Sequence, residues 1–152
     1  MKKHNYARIW MHYVWTTHNR ENIMNQDLIK ALIEHFKAKY PTGEDVYVDT
    51  VNGVSNHVHL LVGQQPVMSC SKVANQLKGE SSHWINAGGF LSTKFAWQTG
   101  FGVFSVSHSQ VQNIRNYIYD QQEHHRKITY EEEVERFLKH YGLEPDDELL
   151  NE

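Results

Sequence analysis

Cysteine is almost absent from this sequence, with Cys70 alone among 152 residues. One thiol excludes an internal disulfide and any metal site built from several cysteines. No apolar run approaches the roughly 18 residues of a membrane-spanning helix, and the N-terminal MKKHNYARIW lacks the pattern of a secretion signal. We therefore expect a soluble, cytoplasmic protein without a membrane partner, and one domain, since the chain is short for two.

Positive charge is also scarce, because the formal net charge is −3, whereas proteins that bind nucleic acid usually present a cationic surface. The acidic residues are, however, concentrated at the C-terminus. Residues 131–152 hold nine acids against Arg136 and Lys139, a net charge of −7, so residues 1–130 carry +4. A mildly basic body is compatible with DNA binding but does not indicate it alone. We expect one domain over residues 1–142 and an acidic tail over 143–152.

Four segments have the composition of β-strands. Aromatic and β-branched residues predict strands at 8–16, 46–51 and 57–63, with a turn from Asn52 to Asn56. Residues 94–107 are also strand-like, although Gly100 and Gly102 interrupt them.

The helices are predicted from apolar residues repeated at intervals of three and four. One begins after Asn25 and ends before Pro41, a second extends from Ser69 to about Asn86, and a third from Val111 to about Gln122. Thr129 and Glu132 form a capping box for a last helix, which Gly142 ends. The economical interpretation is one α+β domain with a mostly antiparallel sheet and packed helices.

The segment HVHLLVG places His57 and His59 on the same face of a strand, because side chains alternate between faces. Two imidazoles on one face can share a divalent metal ion, although the same pattern also describes two half-buried histidines. Two other uses of the pattern are excluded. The strand continues with Leu60, Leu61 and Val62, so it has neither the Asp-His pair of binuclear hydrolases nor the third histidine of nucleotide-hydrolase triads.

The helix VQNIRNYIYDQQ carries Tyr117 and Gln121 at positions i and i+4, on one face beside an apolar stripe that would anchor it to the sheet. If this helix packs near the histidine strand, Gln121 could supply a third metal ligand and Tyr117 could reach a phosphorus atom. The alternative is a tyrosine at the margin of the core. Tyr119 is a weaker candidate nucleophile, because two helix positions turn it about 200° away from Tyr117.

Four blocks in this order resemble a known family: VWTTHNREN, SNHVHLLV, WQTGFGVFSVS and YIYDQQEHH. They are similar to the single-tyrosine HUH transposases of the smallest bacterial insertion sequences, which include the REP-associated tyrosine transposases. The resemblance covers nearly the whole chain. One departure is that Ser55-Asn56 stands where many members have Pro-Asp.

This resemblance implies a ferredoxin-like or RRM-like HUH fold and a site in which His57, His59 and Gln121 bind Mg²⁺ or Mn²⁺. It implies that Tyr117 attacks single-stranded DNA and forms a 5′-phosphotyrosine, which a 3′-hydroxyl can later resolve. The implied partners are DNA hairpins at element ends and a second copy of the chain, and the protein would associate with the nucleoid when bound to DNA. No phosphate-binding loop is present, so no nucleotide cofactor is expected.

Several further residues have two possible roles. His124 and His125 could be ligands or phosphate contacts, but after a helix end they are more often solvated. Aromatic residues of the third block could stack on unpaired bases or belong to the core, namely Trp97, Phe101 and Phe104. Four basic residues are candidates for contact with the DNA backbone, namely Lys72, Lys78, Lys94 and Arg115.

Two other functions stay open at this point. One is a domesticated or inactive relative that binds single-stranded hairpins without cutting them. The other is a metal-binding structural domain unrelated to DNA, which the four ordered blocks disfavour. The presence of His57, His59, Tyr117 and Gln121 together favours an active enzyme.

Overall fold

A four-stranded antiparallel sheet forms the centre of the molecule in a computed structural model that describes residues 5–144. The strands are β1 (Ile9–Thr16), β2 (Val46–Val54), β3 (His57–Gln64) and β4 (Gly102–Val106). Their order across the sheet is β2-β3-β1-β4, and every neighbouring pair is antiparallel. The predicted α+β domain with an antiparallel sheet is confirmed.

Within residues 5–144, five α-helices accompany the sheet, namely α1 (Gln26–Lys39), α2 (Cys70–Ala87), α3 (Val111–Tyr119), α4 (Gln121–His124) and α5 (Tyr130–His140). The side chains of Asn25, Ser69 and Thr129 each accept a hydrogen bond from the backbone N–H three residues later. These bonds satisfy donors that a helix N-terminus leaves without an intrahelical partner. The three predicted helix starts are therefore confirmed. No helix within residues 5–144 combines the length and the apolar character needed to span a membrane.

Each face of the sheet packs against a different set of helices. The face that carries Val58, Leu60 and Val62 of β3 belongs to the larger core, together with apolar residues of α1 and α2. Leu61, on the opposite face, packs with Val111 and Ile118 of α3 in a smaller core. The predicted apolar stripe of the third helix does anchor it to the sheet. His57 and His59 share the face of Leu61, so they lie beneath the helices on the α3 side.

The β2–β3 hairpin is tighter than the sequence suggests. Strand β2 continues to Val54, so the turn predicted from Asn52 to Asn56 is wrong and only residues 55–56 form it. Asn52 and Gly53 pair with His59 and Val58. A Cβ atom at Gly53 would lie 2.9 Å from the backbone oxygen of His57, so this close strand contact requires glycine.

The strand-like segment 94–107 forms a strand only from Gly102 to Val106. Before it, Trp97 makes an isolated bridge to Thr17. The ammonium group of Lys78 donates to the carbonyl oxygens of Thr99 and Gly100 at 3.1 and 2.9 Å. A side chain from α2 therefore satisfies backbone acceptors that a longer strand would pair within the sheet.

The helix predicted from Val111 to Gln122 is divided at Asp120, where φ is −90° and ψ is 16°. The amide of Asn52 donates to the carbonyl oxygens of Ile118 and Tyr119 at 3.0 and 3.1 Å. These carbonyls would otherwise accept the next bonds of the helix, so the sheet itself ends α3. Most of the predicted acidic tail at 143–152 lies outside the described residues, as do residues 1–4.

Candidate active site

His57 and His59 lie side by side on β3 with fully buried side chains. A second residue contacts the Nδ1 atom of each ring. Asn56 Oδ1 lies 2.7 Å from His57 Nδ1, and His12 Nε2 of β1 lies 2.8 Å from His59 Nδ1. If Nδ1 carries the proton in both rings, each Nε2 keeps its lone pair, as a metal ligand must. Asn56, in the loop that departs from the family pattern, thus orients His57.

The Nε2 atoms of both histidines face a shared cluster that includes His125 and Glu133. His125 Nε2 lies 3.0 Å from His57 Nε2. Oε1 of Glu133 lies 2.8 Å from His59 Nε2, 3.2 Å from His125 Nε2 and 3.4 Å from His57 Nε2. One ligand atom from each of the four residues lies within 4.8 Å of the others. Three imidazoles and a carboxylate therefore meet at one buried point.

Tyr117 of α3 lies beside this cluster in the same chain. Its hydroxyl donates a hydrogen bond to Oε2 of Glu133 and lies 3.1 Å from Nε2 of His124. Its ring centroid is 5.7 Å from that of His59. The side chain is only partly buried, and its neighbour Tyr119 is 53% exposed. Of the two tyrosines, Tyr117 is thus the one that faces the histidines.

Gln121 of α4 is fully buried next to the same carboxylate. Its Nε2 atom lies 3.4 Å both from Oε2 of Glu133 and from the carbonyl oxygen of Tyr117. Its Oε1 atom has no hydrogen-bond partner in the described part of the chain. A buried acceptor without a partner costs about 1–3 kcal/mol. A cation at this position would satisfy it.

Helix α5 covers the cluster and makes side-chain contacts along its length. The ring of Tyr130 lies 4.8 Å from that of His57, and Phe137 lies 5.6 Å from Tyr117, centroid to centroid. Beyond the end of α5, the hydroxyl of Tyr141 donates to the carbonyl oxygen of Ser105 at 2.8 Å. Helix α5 therefore holds Glu133 against the histidine strand.

Burial shapes the protonation of the cluster. It lowers the pKa of His57 to about 4, with the nearby Glu133 only partly offsetting the effect. Burial also raises the pKa of Tyr117 well above its usual range, and the charge of Glu133 adds to this rise. For Glu133 itself, burial would raise the pKa, yet the surrounding imidazoles hold it below its usual range. At neutral pH the site thus contains a neutral phenol, a carboxylate and a neutral His57.

This donor set fits a divalent cation. Neutral imidazole nitrogens and a carboxylate oxygen are ordinary ligands of divalent metals. The unpaired oxygen of Gln121 adds an amide acceptor beside them. The residues that could hold the ion are His57, His59, His125, Glu133 and Gln121.

Sequence reasoning missed part of this site. Of the two roles open to His125, the solvated position that its place after a helix end favours is wrong, because its side chain is only 10% exposed and contacts His57. Glu133 is the last of three consecutive glutamates. The capping box at Thr129 predicts the helix that carries it but does not predict its function. Two of the three candidate stacking aromatics, Trp97 and Phe104, are buried in the protein.

A groove of about 1230 Å³ opens beside the cluster, between the N-terminus of α1, the β2–β3 turn and the segment before α5. Its lining includes His125, three basic residues and several amide side chains, among them Lys30, Arg126, Lys127, Asn22, Asn25 and Asn52. A smaller pocket of about 400 Å³ lies between α3 and α5, and Tyr117, His124 and Arg136 line it. Both openings offer polar contacts next to the candidate site.

Comparison with known families gives one match over most of the chain. The family model described as "Transposase IS200 like" matches residues 5–121. The matched range contains His57, His59, Tyr117 and Gln121, and it ends before His125 and Glu133. No protein of curated function matches the chain significantly.

Two solved structures share the fold. A crystal structure described as a candidate transposase from Deinococcus radiodurans R1 is 20% identical, with a TM-score of 0.61, over 80% of this chain and 96% of that chain. A REP-associated tyrosine transposase bound to a REP hairpin is 17% identical, with a TM-score of 0.54, over 95% of this chain and 89% of that chain. At these identities the likeness shows the fold alone.

Proposed function

This chain belongs to the family of IS200-like transposases, and from that premise we propose that it cuts and rejoins single-stranded DNA with Tyr117 as the nucleophile. One observation carries the proposal. A single carboxylate, Glu133, accepts a hydrogen bond from the Tyr117 hydroxyl through one oxygen and contacts the histidine cluster through the other. A phosphodiester near the cluster would therefore lie within reach of the phenol.

The residues of the chain divide the reaction between them. Tyr117 attacks phosphorus, and its proton passes to Oε2 of Glu133, which already accepts the hydrogen bond from the hydroxyl. The bond from phosphorus to the leaving 3′-oxygen breaks as the bond to Tyr117 forms, and that oxygen takes up a proton from water, so the products are a 5′-phosphotyrosine and a free 3′-hydroxyl. Because the phosphotyrosine conserves the energy of the broken phosphodiester, a second 3′-hydroxyl can attack it and reseal the strand without ATP.

His57, His59 and Gln121 are the proposed ligands of Mg²⁺ or Mn²⁺. When bound, the ion supplies positive charge to a non-bridging phosphate oxygen and orients the phosphodiester. Asn56 and His12 keep the two imidazoles in position by contacting their Nδ1 atoms.

The groove beside His125 is the proposed path of the DNA strand. Lys30, Arg126 and Lys127 outnumber the two acids of its lining, Asp27 and Glu131, so the groove has a small excess of positive charge although the whole chain is acidic. The side-chain amide of Asn22 can in addition hydrogen-bond to bases. The REP-associated tyrosine transposase of the same fold is bound to a DNA hairpin, which supports a hairpin as the substrate here. We also expect a homodimer, in which α3 is either kept beside its own histidines or exchanged between the copies.

The test is an assay for a covalent protein–DNA adduct on a denaturing gel. Labelled single strands from the DNA that flanks the gene are incubated with the protein and either Mg²⁺ or Mn²⁺. We expect an adduct that requires metal and disappears in Tyr117→Phe. Tyr119→Phe is the matched control, because Tyr119 lies two residues away and is exposed.

Two outcomes would contradict the proposal. An adduct that persists in Tyr117→Phe would place the nucleophile elsewhere. Metal-independent hairpin binding without any adduct would instead indicate a relative that binds DNA but no longer cuts it.

A further inference from the structure

We infer that helix α5 belongs to the metal site, with Glu133 and His125 as ligands of the same cation as His57 and His59. The inference rests on the proposed metal site, but it does not depend on strand cleavage. A bound cation would then connect α5 to the sheet. The metal-bound site would consist of residues from β3, the segment after α4, and α5.

The spacing of the ligand atoms fits a shared ion. Atoms that share one small divalent ion at about 2.1 Å lie about 3.0–3.4 Å apart in octahedral or tetrahedral geometry. Here His57 Nε2 and His125 Nε2 are 3.0 Å apart. Oε1 of Glu133 lies between 2.8 and 3.4 Å from the Nε2 atoms of His57, His59 and His125.

Hydrogen bonds account poorly for this arrangement. A carboxylate oxygen has about two lone-pair directions, yet three ring nitrogens lie close to Oε1 of Glu133. His57 and His125 also present Nε2 atoms to each other, and their Nδ1 atoms already lie 2.7 Å from Asn56 Oδ1 and 3.1 Å from the carbonyl oxygen of Ile128. If both rings are neutral and donate from Nδ1, neither facing Nε2 carries a proton, and a shared cation resolves the contact.

A fifth residue, Gln121, also lies against this carboxylate. Gln121 Oε1 is buried and has no hydrogen-bond partner in the described part of the chain, although the amide contacts Oε2 of Glu133 through Nε2. A carbonyl oxygen without a donor next to a carboxylate is unfavourable. A cation held by Glu133 would give this oxygen a partner.

The competing explanation is that Glu133 occupies the place of the ion and keeps it out. The two explanations predict opposite effects of Glu133→Gln on metal affinity. If Glu133 is a ligand, its loss weakens binding, whereas if it is a competitor, its loss strengthens binding. Because metal affinity can be measured without DNA, the result is separate from any result on cleavage.

The experiment is a calorimetric titration of the full chain with Mn²⁺ in the absence of DNA. We expect Glu133→Gln to weaken binding by about 10-fold or more, while Glu135→Gln, an exposed acid on the same helix, leaves it unchanged. Unchanged or tighter binding by Glu133→Gln would overturn the inference. Because the titration contains no DNA, a protein that fails to form the DNA adduct still reports on the site.

A second variant keeps the inference testable if Glu133→Gln does not fold. His125→Gln should also weaken Mn²⁺ binding by about 10-fold or more, with His83→Gln as the control because His83 is exposed on α2. Mn²⁺ should in addition raise the Tm of the parent and of His83→Gln more than that of His125→Gln. Equal shifts in Tm would count against His125 as a ligand.

Discussion

Asp49 holds the guanidinium group of Arg115 through two hydrogen bonds of 2.7 and 2.9 Å. Asp49 lies at a register shift in β2, and Arg115 lies two residues before Tyr117 on α3. The hydroxyls of Tyr47 and Thr50 also donate to the same carboxylate, at 2.8 and 2.6 Å. This pair therefore fastens the helix that carries the nucleophile to the edge of the sheet.

Replacing Asp49 with asparagine should destabilise the protein by about 1–3 kcal/mol at pH 7, because charge-assisted hydrogen bonds are lost at a mostly buried site. Burial would raise the pKa of Asp49, but hydrogen bonds from Arg115, Thr50 and Tyr47 hold it below its ordinary value. The stabilisation is therefore complete above the unfolded pKa of about 3.9 and is lost as the pH falls through the lower folded pKa. Urea unfolding at pH 7, 5 and 3.5 measures this, with the exposed Asp45→Asn as control. If the difference in unfolding free energy between the parent and the Asp49→Asn variant grew on acidification, this explanation would be wrong.

His12 should position His59 for metal binding. Its Nε2 atom lies 2.8 Å from Nδ1 of His59, and both rings are buried. We expect His12→Ala to weaken Mn²⁺ binding by about 10- to 100-fold, and His12→Gln to restore part of the loss because its amide oxygen can accept the same bond. Calorimetric titration checks this, with the exposed His83→Ala as control. Equal affinities of the alanine and glutamine variants would show that packing alone is responsible.

Asn52 should be required for the junction between α3 and α4. Besides capping α3, its amide exchanges hydrogen bonds with the amide of Gln122 at 2.9 and 2.8 Å. Asn52→Ala leaves these groups without partners, so we expect a loss of about 1–3 kcal/mol of stability and less DNA adduct. Chemical unfolding and the adduct assay measure the two effects. Asn116→Ala, at an exposed position of α3, should change neither.

The basic residues of the groove should determine how DNA binding depends on salt. Replacing Arg126 and Lys127 with alanine removes two positive charges beside His125. If both residues contact phosphates, the slope of log Kd against log salt concentration should become smaller by about 1.4 for a single strand. Fluorescence anisotropy with a labelled hairpin strand gives the slopes. The exposed pair Lys37 and Lys39, at the C-terminal end of α1, provides a control with the same change in charge, and an equal effect of both pairs would contradict a specific path.

The regular elements could be predicted because their signals are local. Helix starts at Asn25, Ser69 and Thr129 follow from one side chain and its own backbone. The alternation of β3 similarly places His57 and His59 on one face. The position of the β2–β3 turn and the division of the helix at Asp120 could not be predicted. Both depend on the long-range contacts of Asn52 with α3 and α4.

The candidate site could be predicted only where the chain itself brings residues together. Tyr117 and Gln121 are four residues apart, so their proximity follows from a helix even though that helix breaks between them. Glu133 reaches the histidines through the packing of α5, over a sequence separation of 74 from His59. Glu133 and Phe137 share a helix face at i and i+4, but this spacing does not indicate that the face meets the histidines.

The central place of β3 in the sheet divides the site into parts of unequal local stability. Strand β3 is hydrogen-bonded on one side to β2 and on the other to β1, whereas α5 reaches the sheet through side chains. Amide hydrogens of β3 should therefore exchange with solvent only when the whole domain opens, while those of α5 exchange through local opening. The two histidines on β3 thus keep their positions until the whole domain unfolds. The carboxylate that faces them lies on a helix of lower local stability.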